Sequence, residues 1–212
     1  MLAGMSEVGG SGRRERKKAV TRASILAAAQ ALFLDRGFDA VSVREIADQA
    51  DVSPTTVFAH FPTKESIAFS DERERHDRLV AAVSGRAPGR SVSEALTEHY
   101  LAEIAALRSG AQAQMLAVME RSPALVDYAE RMWLRHEDAL AEAIAEELGL
   151  PRPSDEIRLY VRAALYIQLL AIKEDDPAAT IAAGFRVLDR GWVDYENDLT
   201  PSSERAERPA SH

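Results

Sequence analysis

The chain has 212 residues, of which 46% are hydrophobic, enough for a sizeable core in one large domain or two small ones. Its 26 Lys and Arg stand against 34 Asp and Glu, so an overall basic nucleic-acid binder is excluded on the sum. Cysteine is absent, which excludes disulfides, thiolate metal sites and cysteine nucleophiles.

The charge is unevenly placed. Residues 1–65 hold nine Lys and Arg against eight Asp and Glu, so the acidity belongs to the rest of the chain. The Gly/Ser-rich start, Met1 to Gly12, has no apolar run of the kind a secretory leader needs. The longest nearly apolar run, Ala163 to Ile172, is far short of the roughly 20 residues of a membrane span. A cytoplasmic protein without a membrane partner is expected. Apolar residues recur at three- and four-residue spacing and no alternating strand pattern appears, so the fold class is all-α.

Residues 1–20 read as a flexible basic tail that ends in Arg13-Arg14-Glu15-Arg16-Lys17-Lys18. A first helix is expected from Arg22 to Arg36, with Ile25, Leu26, Ala29, Leu32 and Phe33 on one face and Gly37 as its stop. A second helix opens at Ser42, where Ser42 and Glu45 have capping-box spacing. A third is framed by Ser53 as N-cap and Pro54 at the first helical position. Phe61 before Pro62 ends it after about two turns, roughly 12 Å. Val57, Phe58 and Phe61 are expected on its core face.

Two short helices joined by a three-residue turn predict a helix-turn-helix. The second is narrow enough for a major groove about 12 Å wide. Its remaining side chains, Thr55, Thr56, Ala59 and His60, include no acid that would repel phosphates. Lys64 falls in the first turn of the next helix, where a cation opposes the helix dipole. Local stability does not account for it, whereas an anion bound at the free amides does.

The stretch ALFLDRGFDAVSVREIADQADVSPTTVFAHFPTKESI resembles the N-terminal domain of TetR-family transcription regulators. The resemblance implies a three-helix DNA-binding head and a larger helical ligand-binding and dimerisation domain. It places Ser42 and Arg44 on the second helix and Ser53, Pro54, Thr55, Thr56, Phe58, Ala59 and His60 on the recognition helix. Lys64 matches the family's phosphate-contacting lysine. Two residues depart from the pattern: Asp51 replaces a common turn glycine, and Phe58 replaces a tyrosine whose hydroxyl bonds a phosphate. Phe58 is therefore expected to pack rather than to touch DNA. Ser42, Thr56, His60 and Lys64 suit backbone contacts, while Arg44, Thr55 and Ala59 suit base edges.

The head is assigned to residues 21–66 and the body to residues 67–197, with a disordered tail at 198–212. Body helices are expected over 64–84, 91–107, 111–121, 122–148, 154–173 and 176–192. The helix of 154–173 is apolar nearly all the way round, so a second subunit is expected to cover one side. The resemblance likewise implies a homodimer through the last two helices, which reads a palindromic operator. Tyr100, Met115, Met119, Trp133, Tyr166 and Leu170 are candidate linings for an apolar effector, with Arg162 and Gln168 as polar ends. The stretch MERSPALVDYAERMWLRHEDALAEAIAEELG also resembles ligand-domain helices of mycofactocin-related and acyl-CoA-responsive regulators, which implies an acyl-CoA or fatty-acid effector.

An enzyme is not expected. No Glu has His three residues later, so the di-iron bundle pattern is missing, and the five histidines lack metal spacing. No cofactor or metal is predicted. The near-neutral head leaves one alternative, a helical dimeric ligand-sensing protein whose head no longer binds DNA.

Overall fold

The structure, a computed structural model, describes residues 8–199, and side chains over residues 12–192. Of the tails expected at 1–20 and 198–212, residues 1–7 and 200–212 lie outside the described residues. Every regular element among the described residues is a helix, as the apolar spacing predicts. In chain order these are α1 (Val8–Arg36), α2 (Val43–Gln49), α3 (Pro54–His60), α4 (Glu65–Ala68), α5 (Glu72–Ser84), α6 (Val92–Leu107), α7 (Gly110–Glu120), α8 (Pro123–Leu134), α9 (Glu137–Glu147), α10 (Asp155–Ala171) and α11 (Pro177–Leu199).

Four boundaries differ from expectation. The basic stretch Arg13–Lys18 is helical, because α1 begins at Val8 rather than Arg22. Arg, Lys, Glu and Ala are strong helix formers, and extending an existing helix costs far less than nucleating one. The stretch has no apolar stripe, which is why periodicity alone leaves it out. The helix expected over 64–84 divides after Ala68, where buried Phe69 leaves helical geometry and stacks on Tyr128 at 5.1 Å. The Ser70 carbonyl then accepts from Arg22 Nη2 at 2.8 Å. The helix expected over 122–148 divides at Arg135 and His136, whose amides bond three residues back, to Met132 and Trp133. The last helix continues past Trp192 to Leu199.

The chain forms two compact units. The first gathers residues up to Asp71 together with Gly110–Tyr128. Its core holds Ile25, Phe33, Ile46, Val57 and Ile67. Helix α7 packs along α1, and Ser122 Oγ donates to Asp39 Oδ1 at 2.8 Å. Gly37, at φ +80, ends α1 and returns its amide to the Phe33 carbonyl at 2.9 Å.

Among the described residues, the second unit gathers Glu72–Ser109 and residues 129–199. Helix α10 is its centre and packs on α6, α9 and α11. Tyr100 Oη donates to the Ala164 carbonyl at 3.2 Å, and Trp133 Nε1 donates to the Leu165 carbonyl at 2.8 Å. These bonds satisfy the polar ends of two fully buried aromatics. Gly184 sets how closely α11 approaches α10: a Cβ there would stand 2.7 Å from Ile167 Cγ1.

Candidate nucleic-acid interface

The interface is built from two well-capped helices and the turn between them. Ser42 Oγ accepts from the Glu45 amide at 3.2 Å, and Glu45 Oε2 accepts from the Ser42 amide at 2.8 Å, completing the capping box. The Ser42 amide and hydroxyl, then Arg36, hold the Glu45 carboxyl down to about 2. That exposed acid is thus tied to its own helix start and to Arg36 Nη1, at 2.9 Å.

The turn carries the expected left-handed residue. Asp51 sits at φ +53. Its amide bonds the Asp48 carbonyl and the Val52 amide bonds the Ala47 carbonyl, which is the Schellman arrangement that usually takes glycine at this position. Helix α3 follows, with Ser53 Oγ accepting from the Thr56 amide at 3.1 Å and Pro54 in the first turn. Ser53 Oγ and Thr56 Oγ1 also bond each other at 2.9 Å, so the Thr56 hydroxyl is committed to the cap.

Two candidate residues stand differently from expectation. Phe58 is not on the core face: 51% of it is exposed, while Val57 is fully buried and Phe61 nearly so. A seven-residue helix has room for one buried position, and Val57 takes it. Lys64 is neither free nor simply solvated. Its Nζ donates to the Phe38 carbonyl at 3.0 Å and to the Val41 carbonyl at 2.9 Å, and lies 4.0 Å from the centre of the Phe38 ring. These carbonyls account for a cation at the start of α4 despite the helix dipole. They come from the loop before α2, and no local sequence signal points to them.

The other candidates are solvent-facing. Ser42, Arg44, Ser53, Pro54, Thr55 and Ala59 are exposed, and His60 is half-buried. Arg44 and the Thr55 hydroxyl have no hydrogen-bond or ionic partner among the described residues.

The candidate effector residues do not gather in one unit. Met115 and Met119 stand half-buried on α7 in the first unit, because α7 packs along α1. Tyr100, Trp133 and Gln168 are buried in the second. Arg162 is not a buried pole: it pairs through Nε and Nη2 with both carboxylate oxygens of Glu137, at 2.7 and 3.1 Å, on the surface of α10. Tyr166 and Leu170 are exposed on that helix, at 46% and 57%, and do not line an interior. Gln168 Oε1 is buried without a partner among the described residues.

The second unit also buries polar groups not foreseen from the sequence. Arg75 Nε stands 3.0 Å from Glu103 Oε1, and His99 Nε2 stands 3.2 Å from Glu103 Oε2. His76 Nδ1 meets His136 Nδ1 at 2.6 Å. The i, i+4 spacing of His99 and Glu103 was a readable signal. The histidine pair, sixty residues apart, offered none.

A family model described as bacterial regulatory proteins, tetR family, matches residues 25–70. The transcriptional regulator TcmR of Streptomyces glaucescens is 29% identical over 154 residues, 69% of this chain and 68% of that protein. The transcriptional repressor KstR of Mycobacterium tuberculosis is 35% identical over 88 residues, 39% of this chain and 38% of that protein. Among solved structures, NalD of Pseudomonas aeruginosa, described as the secondary repressor of a multidrug efflux pump, superposes with a TM-score of 0.55. It is 19% identical, with 82% of this chain and 97% of that one covered, a likeness of fold.

Proposed function

We propose that this chain, which belongs to the tetR family of bacterial regulatory proteins, binds a palindromic DNA operator as a homodimer and is released from it by a small apolar effector. Its relatives are named transcriptional regulators and repressors rather than enzymes. The observation that carries the reading is the α2–α3 pair. Its second helix is capped, short and free of carboxylates on its exposed side, and unpaired Arg44 lies on its first.

Dimerisation is supported by α10 and α11. Leu159, Tyr166 and Leu170 are exposed at i, i+7 and i+11 along α10, and Val187 on α11 is 77% exposed. So regular an apolar stripe outside the buried core fits a partner helix pair. For the effector, Tyr100 and Trp133 supply an apolar wall and Gln168 Oε1 a free acceptor, which suits an acyl-CoA, a fatty acid or another apolar compound with a polar end. Occupancy would act by shifting the population between DNA-competent and incompetent states.

A mobility shift with the DNA upstream of the protein's own coding region tests the reading. A shifted species holding two chains, weakened by raised salt and released by one of those effector classes, is expected. No shift at low salt supports the second reading, a ligand-sensing dimer with an inactive head, which the engagement of Lys64 by carbonyls favours.

Arg44 is the cation best placed to read bases. Arg44→Ala is expected to flatten the base preference at one position per half-site, a loss of about 1–3 kcal/mol of discrimination. Selection from random duplexes measures it, and an unchanged preference would overturn the assignment.

A further inference from the structure

The exposed side of α3 carries little that can hydrogen-bond. Pro54, Thr55, Phe58 and Ala59 are all exposed, and their spacings of three and four residues put them on one face. The Thr56 hydroxyl is held by Ser53, which leaves the Thr55 hydroxyl as the free hydrogen-bonding group of that face. At its centre stands Phe58, half out in solvent beside a core that closes without it. Phe58 has no hydroxyl for a phosphate. What a major groove offers to an apolar side chain is the 5-methyl group of thymine.

Resting on the DNA-binding reading, we propose that Phe58, flanked by Pro54 and Ala59, is a specificity residue that reads the 5-methyl groups of thymines, so that sequence is discriminated under α3 by methyl contact rather than by hydrogen-bond pattern. The apolar face accounts for the absence of Arg, Asn and Gln from α3, the side chains that pair bidentately with purines. It also divides the labour within the head: Arg44 on α2 has the polar reach, and Phe58 on α3 has the apolar one.

The test replaces thymine with deoxyuridine, which removes the methyl group and leaves the pairing edge intact. The operator half-site is first obtained by selection with the unsubstituted protein. Each thymine is then replaced in turn and the affinity of the full-length protein is measured. At one or two positions per half-site the loss is expected to be roughly fourfold, the scale of burying one methyl-sized group. In Phe58→Ala those positions lose their dependence on the methyl, while Phe58→Tyr, which keeps the ring, retains it. Because Phe58 is half exposed, the melting temperature of Phe58→Ala should match that of the parent, which separates a folding defect from a lost contact. Equal deoxyuridine penalties in Phe58→Ala and the parent would overturn the role of Phe58 alone. Failure of the unsubstituted protein to select any sequence would overturn the DNA-binding reading beneath it.

Discussion

Lys64→Ala lowers the melting temperature of the protein and weakens its binding to all duplexes alike. A lysine whose role was confined to a DNA phosphate would show only the second effect. Here the ammonium spans the Phe38 and Val41 carbonyls, at 3.0 and 2.9 Å, and covers the Phe38 ring. Hydrogen bonds to a charged donor contribute about 1.5–3 kcal/mol each, and a cation over an aromatic face adds about 0.5–1 at exposed sites. Ordering the four-carbon stem offsets up to about 2 kcal/mol. The net expected loss is about 1.5–5 kcal/mol. The loop it clamps runs straight into Ser42, the cap of α2, so the same loss loosens the start of the DNA-facing pair. The third ammonium proton stays free for a phosphate, which makes the two roles compatible. Denaturant unfolding and salt-dependent binding, measured on Lys64→Ala and Lys64→Met, separate them. An unchanged unfolding midpoint, with the salt slope reduced by about one, would leave only the phosphate role.

What the sequence made legible was local. The capping box of Ser42 with Glu45 forms as its spacing predicts, and Ser91 with Glu94 forms a second of the same kind. Pro54 and Ser53 frame α3, and Asp51 takes the left-handed turn. Each of these depends on residues at most five apart, where backbone geometry leaves few alternatives. The misplaced features depend on distant partners. Phe69 breaks a helix because Tyr128 offers a stacking surface, and His136 breaks another at the point where it meets His76. Lys64 turns inward because two carbonyls more than twenty residues away accept its protons. Phe58 faces solvent rather than the core for a related reason. Helical periodicity gives a face but not its width, and the head core was already filled by Val57, Ile46 and Phe61. The effector residues were the least legible, since an apolar side chain on a helix looks the same whether it meets core, partner or ligand.

Acid should destabilise the second unit through two groups whose pH windows adjoin. The upper one belongs to His136. Burial above all, then the nearby His76, lowers it from the ordinary 6.5 to about 4. A base with a depressed native value is kept neutral by folding, so its stabilising contribution is complete above pH 6.5 and is lost as pH falls toward 4. At 1.36 kcal/mol per unit the loss is roughly 3 kcal/mol. The lower window belongs to Glu103. Burial alone would raise its carboxyl, but the contact with His99 and the charges of Arg75 and Arg78 outweigh burial and bring it below the ordinary 4.5. A carboxylate with a depressed native value stabilises above its unfolded value and loses that contribution as pH falls through the folded one. Urea midpoints measured across pH should therefore fall in two stages. His136→Phe, which keeps a ring against Trp133, should flatten the first stage and leave the second. Glu103→Ala at neutral pH should cost about 3–5 kcal/mol, because Arg75 is left buried with its charge uncompensated. Replacing Arg75 and Glu103 together by Met and Leu should recover much of that loss, since a buried ion pair is commonly no more stable than apolar residues of similar volume. A double variant as unstable as Glu103→Ala would show instead that the pair is held in place by His99 and the surrounding packing, and that its charge is needed there.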